Sequence, residues 1–85
     1  MDPVQAFGEV LRQFRKEAGL TQEGLALEAE VERNYVSLIE RGINQPAVRI
    51  IFKLAAALKT PPSAIFAAVE AKIASAPSKP LRRQN

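Results

Sequence analysis

Apolar residues in this chain return every third or fourth position, and each run that carries them is bounded by glycine, proline or a small capping residue. Val4, Phe7, Leu11, Phe14 and Ala18 follow this spacing. It makes one face of an α-helix and does not fit the period of two of a half-buried strand. Asp2 is placed to cap this helix, Pro3 suits its first turn, and Gly19 is placed to stop it. Thr21 offers a hydroxyl to the free N–H groups of a second helix running to about Ala29, with Leu25 and Ala26 inward. Gly24 within it costs roughly 1 kcal/mol against alanine, so this helix depends on tertiary packing. A third helix begins near Glu32 and ends by Gly42. A fourth covers about residues 48–58, with Val48, Ile51, Leu54, Ala55 and Leu58 inward, after Pro46 and the poor cap Ala47. The fifth opens at Thr60-Pro61-Pro62 and reaches about Ala74. No segment alternates with period two and there is no internal repeat. The expected fold is a compact all-α domain of five helices over residues 1–74, each hiding one stripe. Residues 75–85, SAPSKPLRRQN, have the composition of a flexible basic tail.

The residue inventory narrows the chemistry. The 85 residues contain no cysteine and no histidine. Disulfides, the usual zinc sites, thiol nucleophiles and imidazole acid–base chemistry are therefore absent from the repertoire. No glycine-rich phosphate loop and no carboxylate cluster takes their place, so the chain does not read as an enzyme, and no metal or cofactor is expected. The start, MDPVQAFGEV, lacks a charged residue followed by a greasy run, and no stretch of 18 apolar residues occurs. A cytoplasmic location is the expectation. The net charge of +3 points weakly to nucleic acid. Residues 1–74 hold nine Lys/Arg and nine Asp/Glu, and the surplus is Lys79, Arg82 and Arg83. Bulk charge therefore does not argue for DNA; only the arrangement of charges could.

That arrangement is found in VERNYVSLIERG, Val31 to Gly42. At 100° per residue, Val36 and Ile39 fall together and face a core, with Glu40 at the edge of that face. Arg33, Asn34, Ser37, Leu38 and Arg41 fall opposite, and Tyr35 lies on the flank. The outward face opens with a guanidinium and an amide, the groups that bond bidentately to guanine and adenine in the major groove. They sit at the helix start, where recognition helices touch base edges. Taken alone, the same face reads more readily as a solvated surface.

The neighbouring motifs weigh between these readings. LTQ opens the second helix, LA follows near its middle, V-x-x-x-x-V-S-x-I-E-R-G runs through the third, N-x-P follows it, and K-L-A-x-A-L closes the fourth. In this order and spacing, from about Phe7 to Phe66, the chain resembles the lambda-repressor/Cro-like (Xre-type) helix-turn-helix family. Arg33, Tyr35 and Ser37 make it most similar to the short controller proteins of restriction–modification systems. The resemblance implies a sequence-specific transcriptional regulator that binds double-stranded DNA. Helices 2 and 3 would form the helix-turn-helix, with helix 3 in the major groove. It implies base reading by Arg33, Asn34, Tyr35, Ser37 and Leu38, although Tyr35 could instead be packed and Leu38 could read nothing. It implies phosphate contacts from Thr21 and Gln22 at the start of helix 2 and from Arg41, Asn44 and Gln45 after helix 3. Arg15 and Glu40 match positions that the family joins as an ion pair between helices 1 and 3. Two positions depart from the pattern. Glu30 stands where the family places a turn glycine, and Ala47 replaces a hydroxyl cap; each costs on the order of 1 kcal/mol.

One reading helix covers only a few base pairs, so a homodimer on a palindromic operator is expected, with the two helices about 34 Å apart. Ile65, Val69 and Ile73 on the fifth helix are the expected dimer surface, with closure of the monomer core by the whole stripe as the alternative and by Phe66 in particular. A second hypothesis keeps the same scaffold as a protein-interaction module, such as an antitoxin. No membrane and no small-molecule ligand enters either reading.

Overall fold

The computed structural model describes residues 1–76, and among them the only regular secondary structure is helical. The order is α1 Pro3–Glu17, α2 Gln22–Ala29, α3 Arg33–Glu40, α4 Val48–Ala57 and α5 Pro62–Ser75. Lys79, Arg82 and Arg83, with most of the expected tail, lie outside the described residues. No single helix among those described is long and apolar enough to cross a membrane.

Local chemistry sets the helix ends. The Asp2 carboxylate accepts from the N–H groups of Val4 and Gln5 at 3.0 and 3.1 Å, and Pro3 occupies the first helical position. Thr21 Oγ accepts from Gly24 N–H at 2.9 Å. Glu32, Ala47 and Pro61 precede α3, α4 and α5 without a side-chain cap, so these three helices rely on packing rather than on their ends. At the C-termini, Gly19 and Gly42 take the left-handed conformation at φ +75° and +74°. Glu30 and Lys59 adopt the same conformation as non-glycine residues, at φ 60° and 56°. Glu30 therefore makes the α2–α3 turn that a glycine usually makes, at the steric cost of its Cβ. Closure comes from Val31 N–H, which donates to Ala26 O at 3.0 Å, the outer bond of a Schellman motif.

The core is one continuous cluster in which Leu11, Leu25, Val36, Ile39, Leu54 and Ile65 are essentially sealed from solvent. α1 packs on α3 and α5, α2 on α3 and α4, and α4 on α5. The weakest amphipath by sequence, α2, is thus held on two sides by neighbours. α1 reaches α3 most closely at Gly8. A Cβ built there would overlap the carbonyl oxygen of Ile39 and lie 2.8 Å from that of Glu40. The last turn of the third helix therefore rests directly on the backbone of the first.

Several inward assignments change. Val48 is 69% exposed, because α4 turns Ile51, Leu54 and Ala55 inward and Val48 precedes the first turn that meets the core. Ala18 is an exposed C-cap, one residue beyond the buried stripe of α1. Ile65 and Val69, expected to face a dimer partner, are 0% and 6% exposed and complete the monomer core. Phe66, expected to close that core, is 45% exposed with its ring against Phe7 at a centroid distance of 5.8 Å. α5 packs mainly against α1 and α4, and the face they leave open carries Phe66 rather than Ile65.

Candidate nucleic-acid interface

The third helix is fixed from behind and open in front. Val36 and Ile39 are 0% and 1% exposed, so their burial sets the rotation of the helix about its axis. Arg33 and Asn34 are exposed at its first turn, Arg41 is exposed at its end, and Ser37 and Leu38 are half-exposed between them. Tyr35 is half-buried and packs against the core cluster. The loop beyond α3 carries Asn44, half-exposed, and Gln45, exposed. Thr21 is exposed, and its hydroxyl is engaged as the cap of α2.

A buried ion pair holds this helix in place. Arg15 Nε donates to Glu40 Oε2 at 2.6 Å, and Arg15 Nη2 donates to Glu40 Oε1 at 3.0 Å. This is a bidentate pair whose side chains are 10% and 3% exposed. Arg15 Nη1 also donates to Leu20 O at 2.9 Å, which ties the α1–α2 turn to the same group. Burial of both charges is tolerable because each oxygen and most of the guanidinium are hydrogen-bonded. Glu40 therefore lies inside the core face, deeper than the edge position that the helical wheel assigns.

Gln22 occupies a place that sequence reasoning did not foresee. Its Nε2 donates to Glu40 Oε1 at 3.1 Å, so this amide joins the ion pair. No spacing rule links residues 18 apart; the contact follows from the angle at which α2 crosses α3. Arg12 and Lys16 of α1 share an open polar groove with Arg41, which Glu9, Glu17 and Glu40 also line. Among the described residues no group of three or more acidic side chains could hold a metal ion.

Two short helices, then, are joined by a three-residue turn whose first residue is left-handed, with the second helix buried behind and polar in front. A helix-turn-helix family model matches residues 11–65. The chain belongs to the Xre-type helix-turn-helix family. The transcriptional regulator SlrR of Bacillus subtilis is 36% identical over 60 residues, covering 69% of this chain and 40% of SlrR. The chain thus spans less than half of that relative. The control protein C.BamHI of Bacillus amyloliquefaciens is 39% identical over 57 residues, 66% of this chain and 70% of that protein. Among solved structures, the restriction-modification controller protein C.AhdI of Aeromonas hydrophila superposes with a TM-score of 0.73 at 40% identity. That match covers 74% of this chain and 96% of C.AhdI. Among its described residues the chain has the five-helix, strand-free architecture of the lambda-repressor type.

Proposed function

We propose that this helix-turn-helix chain is a sequence-specific transcriptional regulator that binds a palindromic operator as a homodimer. In this reading it acts as the controller protein of a restriction–modification system. The observation that carries the proposal is the first turn of α3, where Arg33 and Asn34 are exposed while Val36, Ile39 and Glu40 lock the helix from behind. A guanidinium and an amide on a rigid support suit bidentate bonding to purine edges. Ser37, Leu38 and the outer part of Tyr35 complete the reading face. Thr21 and Gln22 meet phosphate at the start of α2, where free N–H groups favour an anion. Arg41, Asn44 and Gln45 grip the backbone on the far side. Similarity to C.BamHI and C.AhdI supports the controller role.

Selection from random duplexes tests this directly. A palindromic consensus bound with steep salt dependence is expected, since phosphate contacts release counterions. Absent or salt-independent binding would return the scaffold to the antitoxin or protein-interaction reading. Arg33→Ala is expected to cost roughly 1–3 kcal/mol and to relax preference at one base position in each half-site. Equal weakening on every sequence would make Arg33 a phosphate contact instead.

The homodimer needs a surface other than Ile65 and Val69. Val48, Phe52 and Phe66 are 69%, 59% and 45% exposed. Val48 and Phe66 also line an apolar hollow with Pro3, Val4, Phe7 and Pro46. This open face of α4 and α5 is where a second copy would bury apolar area that a monomer leaves in water. Gln45 borders the same hollow, so the face adjoins the loop assigned to the DNA backbone. Phe52→Asp is expected to shift the sedimentation mass toward monomer and to weaken operator binding, with the helical content retained. An unchanged mass would place the interface elsewhere, with half-buried Ile73 the next candidate.

A further inference from the structure

The contact between Gln22 and Glu40 joins two places that the DNA-binding reading treats as separate. Gln22 is the first residue of α2, and Glu40 is the last residue of α3. Both oxygens of Glu40 are already held by Arg15, and Gln22 Nε2 adds a third hydrogen bond to Oε1. Gln22 is half-exposed, whereas the carboxylate that it meets is buried. Its side chain thus runs from the surface end of α2 into the group that sets the pose of α3.

We propose that Gln22 is a positioning residue for base reading: its amide, anchored on Glu40, locks the start of α2 to the end of α3. The phosphate site at one end and the base-reading face at the other then keep a fixed separation. This rests on the DNA-binding reading given above. An unanchored glutamine samples many rotamers and loses that freedom on meeting a phosphate. The anchored one has already lost it, so its amide reaches the backbone ordered. A primary amide nitrogen carries two donors. One is committed to Glu40, and the other is available for a phosphate oxygen. Through the anchor, a duplex whose phosphates sit at the wrong distance from the groove floor satisfies either Gln22 or Arg33 and Asn34, but not both.

Gln22→Ala is the informative variant, because it keeps the bidentate Arg15–Glu40 pair and places a good helix former at the first position of α2. Its urea stability without DNA and its base preferences in random-duplex selection are measured beside the wild type. The folding equilibrium constant is expected to fall by about tenfold to a hundredfold, the loss of one partly buried hydrogen bond to a charged acceptor. Preferences at the positions read by Arg33 and Asn34 are expected to flatten. Uniform weakening on all sequences with unchanged stability would reduce Gln22 to a simple phosphate contact and overturn the proposal. Lower stability with intact preferences would leave only a structural bond and overturn it equally. A wild type that selects no duplex would instead sink the DNA-binding reading itself, whatever the stability of the variant.

Discussion

Gly8→Ala is expected to destabilise the protein by about 1–3 kcal/mol or more, against the direction that helix propensity predicts. Alanine in the interior of α1 should help the helix by roughly 1 kcal/mol. The surroundings reverse the sign, because the new methyl group would overlap Ile39 O and approach Glu40 O to 2.8 Å. These are backbone atoms, so no side chain can rotate away, and the two helices must separate. Overpacking of this kind typically costs 1–3 kcal/mol, occasionally more. In a domain of this size each 1 kcal/mol lowers Tm by roughly 4–8 °C. Urea and thermal unfolding would show the loss, and under the function proposed above operator affinity should fall further because α3 is the element displaced. An unchanged or raised midpoint would mean that α1 and α3 do not approach so closely.

Glu40→Ala is expected to be more damaging, at about 3–5 kcal/mol, because it leaves the buried Arg15 guanidinium without its carboxylate. That is a large share of the 5–15 kcal/mol that usually holds a domain together. The charge itself is not what stabilises the fold. Arg15→Met combined with Glu40→Leu fills the same space without buried charge, and it should recover much of the loss. If the pair serves mainly to set the pose of α3, the double variant will fold and still read its operator poorly. Full recovery of both stability and base preference would show that packing alone fixes the reading helix. Circular dichroism with urea titration and binding to the selected duplex separate these outcomes.

How much of this was open to sequence reasoning depends on whether a feature is local. The five helices, the caps at Asp2 and Thr21 and the stops at Gly19 and Gly42 follow from neighbours within four positions, and the structure places them as the spacing indicates. The family was equally legible, since its motifs keep a fixed order along the chain. The fifth helix misled for a different reason. Ile65, Phe66, Val69 and Ile73 are all apolar, and periodicity cannot say which part of a broad apolar face meets the core. α1 and α4 chose Ile65 and Val69 and left Phe66 half in solvent. Phe52 could have been noticed from the sequence, because it lies off the Ile51, Leu54, Ala55 stripe.

The amino-acid sequence by itself determined that the chain would be all helical, where each helix would begin and end, and that Arg33 and Asn34 would share a face opposite Val36 and Ile39. Those properties arise from backbone sterics, capping and a 3.6-residue period, all short in range. Only the tertiary structure decided that Gly8 must remain bare, that Gln22 bonds to Glu40, and that Val48 and Phe66 rather than Ile65 are left open. Each of these depends on crossing angles between helices, which are set when several stripes compete for one small core.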